Sequence, residues 1–202
     1  MRASKIATTF AGLAAVASLV ATPLAAQSKS MPWTIIAGIN IAGVSDPPAG
    51  ASVGDKTGLV VGAGTSFALS KDLHLAPEAL FQMQGFTSGT ASVSVYYLNV
   101  PVLFRYNFAP TGESGMMPYI NAGPNLALKL SCSVSGVPGS STCSPSPKSF
   151  DLGLMFGGGL EFKSGTNTFG VGLRYQLGLT DAVDGQSGKN KAIQIIGTWK
   201  IK

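Results

Sequence analysis

The chain offers few residues with catalytic or metal-binding chemistry. His74 is its single histidine, and a Ser-His-Asp site would need this ring beside a serine and a carboxylate. His74 follows the short segment Ser70-Lys71-Asp72, on the side of the predicted fold where the connections are short. A lipid-modifying barrel enzyme would normally have its site near the outer rim or on the lipid face. Gly157-Gly158-Gly159 does not match a phosphate loop, because no helix follows it. We predict no catalytic site, no cofactor and no metal site.

Two cysteines, Cys132 and Cys143, fall in one segment, 131–148, that is rich in serine, glycine and proline. In an exported protein this spacing predicts a disulfide that staples the segment. Metal binding is disfavoured, because His74 lies near the opposite end of the predicted fold.

Six charged residues share faces with glycines and amides on the predicted strands. They are Glu78, Arg105, Asp151, Glu161, Arg174 and Lys200. Three acids and three bases in a confined space must pair or hydrogen-bond, because an isolated buried charge is costly. We predict a lumenal charge network that fills the interior, and a proton relay or ion path is the alternative.

The elements that would position these residues are strands. In Phe169–Leu179 every odd residue is apolar and every even one is glycine or polar, and alternate side chains of a strand point to opposite faces. Breaks at clusters of Gly, Pro, Ser, Asn and Asp predict eight strands. Their ranges are 33–44, 57–69, 73–86, 94–108, 117–130, 149–163, 167–179 and 191–202.

The beginning of the chain predicts export. Residues 1–27 combine Arg2 and Lys5 with a short apolar stretch and small residues, as in a secretory signal peptide. Residues 28–202 then form one domain. Charged residues are 11% of the sequence and glycines number 26, which is unusual for a soluble surface. The net charge of +5 becomes +3 without Arg2 and Lys5, which is too little to indicate nucleic-acid binding.

The predicted connections alternate in length. Long ones occupy 45–56, 87–93, 131–148 and 180–190. Tight turns lie between them at 70–72 and 163–167, and only the connection 109–116 is intermediate. Outer-membrane barrels combine an even strand number with long outer loops and short periplasmic turns. We therefore predict an all-β, eight-stranded antiparallel up-and-down transmembrane barrel, whose interior is just wide enough for side chains to fill. A soluble β-sandwich is the alternative fold.

Aromatic residues near the predicted strand ends suggest a girdle at the level of the lipid headgroups. They are Trp33, Tyr96, Tyr97, Tyr119, Phe150 and Trp199.

Five segments in order resemble the PorT-like "porin family" outer-membrane barrel domain. They are 59–86, Tyr97–Tyr106 (Tyr-Leu-Asn-Val-Pro-Val-Leu-Phe-Arg-Tyr), Pro118–Pro124, Asp151–Glu161 and Arg174–Asp181. The resemblance implies an eight-stranded bacterial outer-membrane barrel and little about activity. Asn99 stands where that family commonly has an acidic residue, and the chain ends Trp199-Lys200-Ile201-Lys202 rather than on an aromatic.

Together these features predict a non-enzymatic outer-membrane protein with a plugged, charged lumen, and a structural or partner-binding role through its outer loops. The expected partners are outer-membrane lipid, the barrel-assembly machinery during biogenesis, and a protein or cell-surface ligand at the loops. A small-solute channel or ligand-binding barrel is the second hypothesis. A lipid-modifying enzyme is the third.

Overall fold

The computed structural model describes residues 32–45, 53–111, 115–136, 143, 149–183 and 186–201. The predicted signal peptide lies outside these residues. The described chain forms nine strands: β1 Trp33–Ser45, β2 Gly54–Thr65, β3 Phe67–Ala68, β4 Leu73–Ser88, β5 Ala91–Asn107, β6 Met117–Ser135, β7 Phe150–Ser164, β8 Asn167–Val183 and β9 Gln186–Ile201. Within these ranges no helix is long and apolar enough to span a membrane.

The strands close into one antiparallel barrel. It is eight-stranded, because β2 and β3 together occupy one position in the sheet. Short β3 continues β2, and both pair with β4. Each later strand pairs with the next along the chain, and β9 returns to pair with β1 from Trp33↔Ile201 to Ser45↔Lys189. The predicted eight-stranded antiparallel barrel is confirmed. Both ends of the described chain lie at one rim, with the turns at 69–72 and 165–166, and this is the periplasmic end in outer-membrane barrels.

Two of the outer connections are shorter than predicted. The segment predicted as loop 87–93 is a tight hairpin: β4 runs to Ser88, Gly89 takes a positive φ of 58°, and β5 begins at Ala91. Likewise, β8 continues to Val183 and β9 starts at Gln186, inside the predicted loop 180–190. Serine, glycine, asparagine and aspartate predicted breaks in these segments, but the strands continue through them because they pair with their neighbours in the sheet. Most of 45–56 and of 131–148 lies outside the described residues.

Alternation along each strand separates a lipid-facing wall from a filled interior. On β1, Ile35, Ile39 and Ile41 face outward at 41–42% exposure, while Ile36 and Asn40 between them are buried. The same parity holds on the other strands, and the outward set forms the apolar belt of a membrane barrel. A slip of the register by one residue would turn every side chain of a strand to the opposite face. The pattern therefore specifies the pairing strongly.

The middle of the lumen is apolar, which the sequence pattern did not predict. The residues of this apolar layer come from most of the strands: Ile36, Val60, Ala76, Leu80, Leu103, Met155 and Ile196. Leu80, Leu103 and Met155 have no exposed surface. The interior at this level is therefore closed by packed hydrocarbon.

The aromatic girdle was predicted correctly in part. Trp33, Phe150 and Trp199 are exposed on the outer wall, and Tyr96 stacks on lipid-facing Phe81 with ring centroids 5.7 Å apart. Tyr97 and Tyr119 were placed wrongly, because they are 2% and 3% exposed and point into the lumen. Their position in the alternation, one residue out of phase with the lipid-facing set, decides their side.

Candidate functional site

Five of the predicted lumenal charges form two clusters on the periplasmic half of the barrel. In the first, Arg174 of β8 reaches across to Glu78 of β4 and donates two hydrogen bonds, Nη1 to Oε2 at 2.6 Å and Nη2 to Oε1 at 2.8 Å. Both side chains are buried, at 4% and 8% exposure. Bidentate geometry of this kind gives charge-assisted bonds with a fixed orientation. Gly157 makes room for the arginine, since a Cβ there would lie 3.0 Å from Arg174 Cγ.

The second cluster surrounds Glu161 near the periplasmic rim. Its carboxylate lies 2.7 Å from Arg105 Nη2 and 3.2 Å from Lys200 Nζ. The Arg105 guanidinium also sits 3.7 Å above the centre of the Tyr119 ring, a cation–π contact. Glu161 thus pairs with two cations, and the ring face of Tyr119 is a further partner of Arg105.

Asp151 was grouped with these residues from the sequence, but the structure places it elsewhere. It lies on the outer half of β7, where Asn190 Nδ2 donates to Oδ2 at 2.7 Å and the Thr180 hydroxyl donates to Oδ1. Ten residues separate it from Glu161 on the same strand, which is about 33 Å of extended chain. Asp151 and Glu161 both face the lumen, but Asp151 lies too far along the barrel to contact the basic residues that pair with Glu161. Five of the six predicted residues therefore form the two clusters.

His74 lies at the periplasmic end of β4, where Asn107 Nδ2 lies 2.9 Å from its Nδ1. Among the described residues no group of three or more His, Cys, Asp or Glu side chains could hold a metal ion. The imidazole is thus engaged with an amide rather than aligned between a serine and a carboxylate.

An amide layer lies on the outer side of the apolar layer, and sequence reasoning missed it as a unit. It consists of Asn40, Gln82, Gln84, Asn99, Asn125, Gln176 and Gln194, all with 3% exposure or less. Asn99 Nδ2 donates to Gln82 Oε1 at 3.0 Å and Asn125 Nδ2 donates to Asn99 Oδ1 at 2.9 Å. The side chain of Asn40 has no hydrogen-bond partner among the described residues. The signal was present, because each amide occupies an inward position in the strand alternation.

The free space near the charge clusters is small. A cavity of about 20 Å³ lies between the two clusters, with Thr34, Ala76, Glu78, Arg105 and Arg174 among its lining residues. That is room for about one water molecule. The charge clusters, the apolar layer and the amide layer thus occupy successive levels of the lumen with buried side chains.

Above the belt, the outer ends of β5 and β6 present hydroxyl groups. Ser92 pairs with Ser135 and Ser94 with Ser133 in the ladder, and Lys56 Nζ donates to the Ser92 and Ser94 hydroxyls at 2.7 and 2.6 Å. We call Ser92, Ser94, Ser131, Ser133 and Ser135 the serine ladder.

The predicted disulfide is confirmed at the outer end of the barrel. Cys132 near the end of β6 is bonded to Cys143, with their Cα atoms 5.8 Å apart. Cys132 also packs against the buried cluster of Val95, Tyr97 and Ala127 inside the outer rim. The bridge therefore joins the segment after β6 to a packed part of the wall.

The closed barrel and its outward apolar belt agree with a comparison against protein-family models. The model of the outer membrane protein beta-barrel domain matches residues 25–184. The chain belongs to this family. Members of the outer membrane protein beta-barrel domain family are bacterial outer-membrane proteins, and this protein is a small barrel of that membrane. The match is to the wider family rather than to the PorT-like branch. No curated protein matches the chain.

Solved structures show the same fold at low sequence identity. Neisserial surface protein A is 17% identical, with a TM-score of 0.54, over 84% of this chain and 96% of that one. OprG from Pseudomonas aeruginosa is 15% identical, with a TM-score of 0.50, over 85% and 96%. At these identities the likeness concerns the architecture of the outer membrane protein beta-barrel domain alone.

Proposed function

We propose that this outer-membrane barrel is non-enzymatic, does not conduct solutes, and has a structural role or binds a partner through the outer ends of its strands. The observation that carries the proposal is the apolar layer. Six of its seven residues are no more than 1% exposed, so the pathway through the lumen is interrupted by packed side chains. A function that needs no open lumen must lie at the outer surface or in the wall itself.

Hydrocarbon closes a lumen more completely than charged groups do. Water and ions leave a narrow apolar constriction by dewetting, and the Glu78–Arg174 pair closes the space on the periplasmic side of the layer. Opening a path would require both the layer and the buried pair to separate. The cost of exposing unpaired buried charge opposes that movement.

Planar-bilayer recording tests the closed lumen. Wild-type protein should show no large, stable single-channel conductance. Leu80→Ser with Ile196→Ser should increase leak, because both substitutions place hydroxyls in the apolar layer. Ile195→Ala on the lipid-facing side of the same strand is the matched control and should leave the recording unchanged. Stable wild-type channels would contradict the proposal.

The outer ends of β5 and β6 support a partner-binding role. The serine ladder and Lys56 form a polar wall above the belt, and the Cys132–Cys143 bridge constrains the segment that follows it. Hydroxyls on a regular strand surface offer repeated donors and acceptors to a polar partner. They lie where a cell-surface ligand would arrive.

Photo-crosslinking on intact cells tests this role. A photoreactive residue in place of exposed Ser133 should give a discrete adduct. The same residue in place of exposed Thr166, in the periplasmic turn, is the control and should not give that adduct. An adduct at Thr166 but not at Ser133 would contradict a binding surface at the outer end of the barrel.

The second candidate is a small-solute channel or ligand-binding barrel, and the amide layer favours it. Asn40 is fully buried without a side-chain partner among the described residues, so a water or polar solute would find donors and acceptors there. In that case Arg105→Gln or Glu161→Gln should change conductance or selectivity. Under our leading proposal the same variants mainly lower stability.

A lipid-modifying activity is the third candidate. Its test is His74→Ala in whatever lipid assay shows activity, because unchanged activity excludes a histidine-dependent mechanism. The position of His74 at the periplasmic end, beside Asn107, supports a structural role for the ring.

Affiliation with the PorT-like branch is also part of the proposal. It is supported by the five segments quoted above, and the genes beside this one would test it. A conserved neighbourhood of gliding or protein-secretion genes would support the branch, whereas an unrelated neighbourhood would argue against it.

A further inference from the structure

The lipid-facing wall is notched where β7, β8 and β9 run side by side. Gly158 carries no side chain at an outward position of β7 and is the cross-strand neighbour of Leu173. The result is an open apolar groove of about 460 Å³, lined by Phe156, Gly157, Gly158, Leu173, Arg174, Tyr175 and Ile193. Phe156, Leu173 and Ile193 are 45–57% exposed along it, whereas Arg174 is buried beneath the wall.

The outer end of this groove leads to basic residues. On β9 the outward apolar residues run from Trp199 to Ile193, about 20 Å along the strand and about 15 Å in height at the usual strand tilt. The next two outward positions are Lys191 and Lys189. The belt on β9 therefore ends at Ile193, and the lysines occupy the outer lipid interface.

Beyond β9, the basic surface crosses β1 and reaches one further lysine on β2. Lys191 Cε approaches Gly43 of β1, with 3.4 Å to the position of an added Cβ, and the Asp55 carboxylate reaches the same glycine. Lys56 stands on β2 beyond it, engaged with Ser92 and Ser94. Asp181 is the cross-strand neighbour of Lys189, so three lysines stand against two aspartates and the interface keeps a net positive charge.

We propose that this wall binds a phosphorylated glycolipid of the outer leaflet, with an acyl chain in the groove and a headgroup phosphate at Lys189 and Lys191. Each half matches one part of the ligand: the groove is apolar and within the belt, and the lysines stand at headgroup height. The phosphate-binding residues Lys189 and Lys191 and the groove do not belong to the serine ladder or to the lumen, and only Lys56 borders both surfaces.

The width of the site favours a glycolipid over a two-chain phospholipid. The groove and the basic residues together extend from β7 to β2 through β8, β9 and β1. Four strand spacings are about 19 Å. A multiply acylated disaccharide with phosphates can occupy both parts, whereas a glycerophospholipid would fill one of them.

Native mass spectrometry of the protein purified from outer membranes tests the site, with lipid A as the probe. Lys189→Gln with Lys191→Gln should weaken lipid A binding about thirtyfold, since each lysine near an anionic lipid surface contributes roughly a fivefold factor. Leu173→Trp, which fills the groove, should also weaken it. Dephosphorylated lipid A should bind wild type as weakly as lipid A binds the double lysine variant.

Matched controls separate the site from general effects of charge and bulk. Lys71→Gln with Lys163→Gln removes two exposed lysines at the periplasmic turns, and Leu59→Trp adds the same bulk at a lipid-facing position of β2. Both should bind lipid A as wild type does. Unchanged binding by the Lys189/Lys191 variant would overturn the proposal, as would equal wild-type affinity for phosphatidylglycerol. Heat-modifiable gel migration of every variant verifies that the barrel has formed.

Discussion

At the scale of residues, the Glu78–Arg174 pair is the contact whose halves are hardest to separate. Both groups are buried and joined by two hydrogen bonds. Arg174→Met would leave the carboxylate without its cation, so we expect a loss of about 3–5 kcal/mol in the free energy of unfolding. Urea unfolding of protein in lipid vesicles measures it.

A double substitution distinguishes this loss from simple repacking. Glu78→Leu with Arg174→Met removes both charges and should recover most of the stability, because an apolar pair of similar volume has no desolvation cost. Lys163→Gln, at an exposed position, is the control and should have the same free energy of unfolding as wild type. A single Arg174→Met variant as stable as wild type would show that the carboxylate finds another partner.

At the scale of elements, β8 is shaped by glycines that admit an aromatic ring from β6. A Cβ added at Gly172 would clash with the Tyr119 hydroxyl and lie 3.3 Å from Gly158 O. Gly172→Ala should therefore cost about 1–3 kcal/mol by overpacking. Tyr119→Phe in the same chain should restore part of it, since only the hydroxyl is removed.

The strand glycine Gly197 gives the matched control. Its added Cβ would have ordinary contacts, the nearest being Ala37 O at 3.7 Å. Gly197→Ala should leave urea unfolding unchanged or slightly improved. If Gly172→Ala were equally harmless, Tyr119 must move freely within the lumen.

The elements also show what the sequence could and could not predict. Arg105, Glu161 and Arg174 were assigned to the inner face because alternation is local to each strand. Their partners depend on the stagger of distant strands around the barrel, which no single strand encodes. Asp151 was misgrouped for that reason: its side was right, but its height in the lumen was unknown. The two-residue hairpin at Gly89 was not predicted because Ser88, Gly89 and Ser92 are residues typical of breaks.

At the scale of the whole molecule, the barrel should not depend on its disulfide. The closing ladder and the apolar layer lie away from Cys132 and Cys143. Reductant without heating should leave the compact gel migration of the folded barrel intact, and heating should abolish it. The Cys132→Ser/Cys143→Ser variant should behave as the reduced protein. Conversion to the unfolded band by reductant alone would show that the bridge holds the fold.

The ladder between β1 and β9 has a consequence for how the protein is made. Trp33 and Ile201 are neighbours in the sheet although almost the whole domain separates them in the chain. Until that last pairing forms, the sheet has two open edges and an apolar outer face, the conditions under which chains aggregate. Pairs so distant in sequence also form slowly. The chain is therefore most prone to aggregate between the synthesis of β1 and the arrival of β9. A chaperone or assembly factor that acts on the β1–β9 pairing would have the largest effect.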